Sequence, residues 1–148
     1  MRPVDDTTPF AMTTEWAHAF AREWIASWNS HDLDRILSHY TNDFEMRSPF
    51  IRERMFDPGG VLRGKEQVRA YWANALQAVP PITFELRSVY VGASSLAIAY
   101  RSVGRALVTE VVIFDSAGKV TSGNALYGAS DSQSVASHAA DGRTANPD

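Results

Sequence analysis

"WNSHDLDRILSHYTNDFEMRSPF", Trp28 to Phe50, joins the end of one helix to a second short helix and then to a strand, and the alternation inside that strand sets the architecture. In "FEMRSP" the residues Phe44, Met46 and Ser48 share one face while Glu45 and Arg47 take the other, because successive side chains of a strand point to opposite sides. Pro49 has no N–H to give a ladder and stops it. Asn29, Ser30 and His31 break the first helix. Asp32 is placed to cap "DLDRILSHY", whose buried face is Leu33, Ile36, Leu37 and Tyr40, and "TND" ends that second helix.

Working back from this stretch, Thr13 and Thr14 can cap a helix with Glu15 in its first turn, and Trp16, Phe20, Trp24 and Trp28 recur every fourth residue. That spacing is one heavy aromatic stripe on an amphipathic helix. Core packing is the expectation for Trp16 and Phe20, whereas Trp24 can pack and still offer its N–H to a ligand. Working forward, "FIRERMFDPGGVL" is a longer connection with a turn at Asp57-Pro58-Gly59-Gly60, of a length common in rims and lids. "GKEQVRAYWANALQAV" has helical spacing at Val68, Tyr71, Trp72, Ala75, Leu76 and Val79, and Pro80-Pro81 ends it.

The remainder reads as a four-strand meander: "ITFELRSVYV", "SLAIAYR", "ALVTEVVIFD" and "KVTSGNALYG", with "SVGR" and "DSAGK" as turns. Helices first and a long antiparallel sheet last is an α+β arrangement, a cone-shaped curved sheet wrapped around three N-terminal and inserted helices. Residues 1–12 form a loose leader and 13–128 the folded domain. Residues 129–148 are Ser, Ala, Asp and Gly with almost no large apolar side chain, the composition of a disordered tail.

Composition narrows the function classes. The chain has 148 residues, 45% hydrophobic and 21% charged, enough for one domain with a core and a small pocket. A net charge of -3 supplies no basic field for a phosphate backbone, so nucleic-acid binding is disfavoured. With no Cys there is no disulfide and no thiolate chemistry. The four His show no spacing suited to zinc, so no metal and no cofactor is expected. "MRPVDDTTPF" lacks the apolar region of a secretory signal, and no run approaches the roughly 18 apolar residues of a membrane span. A cytoplasmic protein is the simplest expectation.

Two motifs fail on inspection. Gly59 to Lys65 matches G-x-x-x-x-G-K, but Glu66 stands where a phosphate loop needs Ser or Thr, and no buried strand precedes it. No G-x-S-x-G elbow is present.

The informative anomaly is in "ALVTEVVIFD". One face carries Val108, Glu110, Val112 and Phe114; the other carries Leu107, Thr109, Val111 and Ile113, so both sides look covered. Glu110 is a lone carboxylate in an apolar run. Pointed inward, it would be desolvated and held uncharged near neutrality, able to donate a hydrogen bond or exchange a proton. Pointed outward, it would pair with an Arg such as Arg101 on the next strand. If the opposite face of the strand is buried as well, a homodimer would supply its cover.

The element order, with "WNSHDLDRILSHYTNDFEMRSP", "GKEQVRAYWANAL" and "VIFDSAGKVTSGNALYG", resembles the NTF2-like superfamily, and more narrowly its SnoaL-like and ketosteroid-isomerase-like branch, over Trp16 to Gly128. The resemblance implies a cone of curved sheet, an apolar internal pocket and a homodimer through the sheet's outer face. It places Ser48 at the general-base position of the steroid isomerases, Trp24 at the oxyanion-binding tyrosine, and Glu110 at the protonated aspartate. A serine hydroxyl has no useful basicity without a neighbour to take its proton, so steroid isomerisation by that route is not expected.

The expected site therefore has Glu110 as acid or base, with Trp24 and Ser48 as hydrogen-bonding partners. Its wall comprises Phe44 and Met46 from the first strand and Tyr71 and Trp72 from the third helix, completed by Tyr100, Val112, Ala125 and Tyr127 from the meander. A small, mostly apolar molecule suits such a wall, handled by cofactor-free isomerisation, cyclisation or dehydration. The other reading is a non-catalytic ligand-binding or dimerisation module of the same fold.

Overall fold

The computed structural model describes residues 12–54, 56–102 and 107–128. The expected tail at 129–148, and all of the expected leader except Met12, lie outside these residues. Helix α1 (Thr14–Ser30) begins where the Thr13 hydroxyl accepts the Trp16 N–H at 3.0 Å, with Glu15 against the positive end of the helix dipole. Its apolar stripe buries Ala17, Phe20, Ala21, Trp24, Ile25 and Trp28. The helix ends at His31, in the left-handed region at φ 61°, whose N–H donates to Trp28 O.

Helix α2 (Leu33–Leu37) is capped by Asp32, whose carboxylate accepts the Arg35 N–H. It stops three residues earlier than its apolar spacing suggests, and Tyr40 belongs instead to β1 (Tyr40–Arg47). The reason is tertiary: the Val120 N–H donates to His39 O at 2.9 Å, drawing the chain into the sheet at that point. "TND" is consequently strand, and the register to the neighbouring strand shifts between Tyr40 and Glu45.

The connection after Pro49 carries more structure than its composition indicates. Ser48 caps a short helix, α3 (Pro49–Glu53), with Pro49 at the position where its missing N–H costs nothing. The turn at Asp57 to Gly60 forms as its residues require: Asp57 Oδ2 accepts the N–H groups of Gly59 and Val61, and Gly60 adopts φ 75°. It returns the chain as β2 (Val61–Arg63), antiparallel to β1. Helix α4 (Gly64–Ala75) buries Val68, Tyr71, Trp72 and Ala75. Val79, expected on that face, lies beyond the helix end and is exposed.

Strands β3 (Phe84–Val91), β4 (Ser95–Ser102), β5 (Leu107–Phe114) and β6 (Val120–Tyr127) form the meander. The six-stranded order is β2-β1-β6-β5-β4-β3, antiparallel at every pairing except β1 with β6, which run parallel. The sheet is curved and unclosed. Asn29 fastens α1 to its β3 edge by standing in for a strand neighbour: its amide donates to Phe84 O at 3.0 Å and its carbonyl accepts the Phe84 N–H at 2.7 Å. The His31 imidazole meets Ile82 O at 2.7 Å beside it.

Helices and inward strand faces enclose a core rich in rings. Trp24, Trp28 and Trp72 are completely buried, and a residue of that size contributes about 4–6 kcal/mol of gross apolar burial before ordering entropy opposes it.

Candidate functional site: an enclosed glutamate on the inner face of the sheet

Strand β5 alternates as its sequence indicates, with Val108, Glu110, Val112 and Phe114 buried and Leu107 and Ile113 open to solvent. Glu110 is 0% exposed. Its Cα neighbours across the ladders are Ile98 on β4 and Ala125 on β6, both apolar and buried. Arg101 pairs instead with Glu85 and Leu107 in register and lies on the other face of β4, so the outward ion pair does not form.

Gly123 on β6 makes room for the carboxyl group. A methyl built on its Cα would stand 3.5 Å from Glu110 Oε2 and 3.2 Å from Met46 Sδ. Glu110 from β5 and Met46 from β1 thus both approach Gly123, a backbone position with no side chain. Val112 faces Gly123 in register, and Ala125 follows on the same face. Glu110, Met46, Val112 and Ala125 are among the residues expected from the sequence, whereas the only signal of Gly123 is a small residue at an inward position of an apolar strand.

Trp24 of α1 is completely buried, with its ring 5.4 Å from Tyr100 and 6.1 Å from Phe84. Its indole Nε1–H donates to the Tyr40 hydroxyl at 2.9 Å. Tyr40 was read as an apolar helix residue. In β1 it turns inward with Phe44 and Met46, its ring 4.4 Å from Phe44 and 5.3 Å from Trp72. Its even spacing from Phe44 and Met46 carries the strand signal, which the helical spacing from Ile36 and Leu37 hides.

Ser48 is buried at the end of β1, and its hydroxyl accepts the Phe50 N–H at 3.2 Å as the cap of α3. Tyr71 packs edge-on to Phe56 at 5.4 Å, and Tyr127 to Phe50 at 4.9 Å, so both stand toward the connection between β1 and β2. Trp28 and Trp72 meet at 5.0 Å and 77°, and neither indole N–H has a hydrogen-bond acceptor among the described residues. The interior of the domain therefore holds one fully buried carboxyl group together with buried aromatic rings and indole N–H groups.

On the other side of the sheet, Leu107, Thr109 and Leu126 border a groove of about 510 Å³ with Arg87 at its edge. No helix among the described residues is long and apolar enough to cross a membrane.

A model of the SnoaL-like domain matches residues 21–141. Among solved structures, a SnoaL-like protein of unknown function from Burkholderia thailandensis E264 is 46% identical, with a TM-score of 0.76 over 80% of this chain and 98% of that one. SalBIII, an epoxide hydrolase/cyclase-like enzyme with a role in pyran ring formation in the polyether salinomycin, is 21% identical at a TM-score of 0.60, over 81% of this chain and 97% of its own. At that identity the likeness is one of fold. No curated protein matches the chain.

Proposed function

The chain belongs to the SnoaL-like domain family, and on that premise we propose that it binds a small, mostly apolar molecule against the inner face of its sheet and transfers protons on it without a cofactor, Glu110 acting as acid or base. The observation that carries this reading is the complete burial of Glu110 on the inner face of β5, with Ile98 and Ala125 as its ladder neighbours and Gly123 beside its carboxyl group. A carboxyl group removed from water favours its uncharged form, because the ionised form loses its hydration. Such a group can protonate an oxygen or carbon and, once ionised, accept a proton back. One carboxyl can therefore serve an isomerisation, a cyclisation or a dehydration.

The remaining residues divide by what their polar atoms already do. Trp24 acts through Tyr40, whose hydroxyl it holds in place; Ser48 holds the end of β1 by capping α3. The indole N–H groups of Trp28 and Trp72 suit a ligand that carries an acceptor oxygen on an apolar frame. Phe44, Tyr71, Tyr100 and Tyr127 complete the apolar wall, and the exposed outer face of β5 supports a homodimer in which a second copy covers it.

The non-catalytic reading draws on the same bonds: with Trp24 and Ser48 engaged within the protein, Glu110 alone would carry the chemistry. Mass spectrometry of the untreated protein for a copurified molecule, followed by its conversion by wild type and Glu110→Gln, separates the two. Loss of turnover by about 10²-fold or more in Glu110→Gln is expected for an acid or base. Equal turnover in both proteins removes Glu110 from the reaction.

A further inference from the structure

At the end of β1, on the outer side of the sheet, lies a groove of about 250 Å³ bordered by Arg47, Arg52 and Asn124, with Ser48, Pro49 and the turn from Gly59 to Val61 completing its lining. Its chemistry is opposite to that of the inner wall. Arg47 points outward from β1, Asn124 is its Cα partner on β6 and is exposed, and Arg52 comes from α3.

The guanidinium groups at this groove outnumber their ion-pair partners among the described residues. Glu45 is shared by two cations, with its Oε1 2.9 Å from Arg47 Nη2 and its Oε2 3.2 Å from Arg63 Nε. The hydrogen bond from Arg47, then that from Arg63, holds the Glu45 carboxyl below its ordinary range, so it stays ionised and divided between them. Asp57, the acid of the neighbouring turn, spends Oδ2 on the Gly59 and Val61 N–H groups. Arg52 has no ion-pair partner among the described residues. One carboxylate thus serves Arg47 and Arg63, and Arg52 is left over, in a chain whose net charge is -3.

We propose that this groove is a binding site for a small oxyanion, a carboxylate or phosphate group, held between the guanidinium groups of Arg47 and Arg52 with the Asn124 carboxamide as a further donor. A guanidinium presents paired N–H groups whose geometry matches two oxygens of one anion. The backbone N–H groups of the bordering turn are consumed by Asp57, so recognition falls to the side chains. Because the arginines are partly solvated, the affinity is modest and weakens with salt. Glu45 competes with the anion for Arg47.

The test is a ¹⁵N NMR titration of the full chain with inorganic phosphate and, separately, with succinate, at constant ionic strength, following the arginine Nε–H and Asn124 Nδ2 signals. The expected result is saturable shifts at Arg47, Arg52 and Asn124 with a Kd of about 1 mM. Arg52→Gln should weaken binding about tenfold or more, and Glu45→Gln, which releases Arg47, should tighten it several-fold. Saturation by phosphate alone assigns the site to phosphoryl oxygens, and saturation by succinate alone to carboxylates. Shifts that never saturate, or an affinity unchanged in Arg52→Gln, overturn the proposal.

Discussion

Glu110 Oε2 lies so close to Gly123 that a methyl group added there would stand 3.5 Å from it, and 3.2 Å from Met46 Sδ. The first of these distances is an ordinary contact and the second asks a flexible thioether to give by a few tenths of an ångström. Gly123→Ala should therefore leave stability within about 1 kcal/mol of wild type, since lower chain entropy offsets the crowding. Gly123→Leu should lose about 2–3 kcal/mol by urea denaturation, because its side chain needs the volume that the carboxyl group and the sulfur already fill.

Tyr40 supplies the acceptor for the Trp24 indole N–H in a completely buried setting. Removing only that oxygen, in Tyr40→Phe, leaves a buried donor unsatisfied and should cost about 1–3 kcal/mol. The Trp24 Nε1–H resonance should also shift upfield as its hydrogen bond is lost. A Trp24 resonance unmoved by the substitution would show that this bond does not form in solution.

Between α1 and α2, the Arg35 guanidinium donates to both oxygens of Glu23, at 2.9 and 3.0 Å, and His39 Nε2 stands 3.4 Å from the same carboxylate. The Arg35 hydrogen bond is the main cause that holds the Glu23 carboxyl below its ordinary value. A carboxyl whose folded value is depressed stabilises the protein above its unfolded value, and that contribution disappears as pH falls through the folded value. Acid titration of stability should accordingly be shallower in Glu23→Gln than in wild type, by less than about 1 kcal/mol in total because the pair is largely solvated, and the difference should shrink in high salt.

Leu107, Ile113 and Leu126 present 53%, 44% and 45% of their surface to solvent on the outer face of the sheet. If a second copy covers that face, sedimentation of wild type should give the mass of a dimer. Ile113→Glu, which places a charge in the covered apolar surface, should give a monomer with an intact fold by circular dichroism. A wild-type monomer at all concentrations would sink the dimer.

Much of the inner wall was legible because alternation is a local property. Phe44 and Met46 in β1, and Val108, Glu110, Val112 and Phe114 in β5, turn inward as a period of two requires and are buried; Ser48, next after β1, is buried as the cap of α3. Thr13 and Asp32 cap helices where their side chains allow it. Tyr40 was misread because its spacing from Ile36 and Leu37 fits a helix as well as its spacing from Phe44 fits a strand, and only the bond from Val120 to His39 O decides between them. Helix α3 and strand β2 went unseen for a related reason: a three-residue strand has almost no pattern of its own and exists through its ladder to β1.

What the sequence alone determined is the order of the longer helices and strands, the face most of those strands turn inward and the presence of one acid in an apolar run, since backbone stereochemistry and side-chain polarity act over a few residues. Which groups meet was decided by the tertiary structure: Glu110 and Met46 with Gly123, Trp24 with Tyr40, and Arg47 with Arg52 around a groove. These partners come from different elements of the chain, and their approach depends on the curvature and register of the whole sheet, which no single stretch of residues encodes.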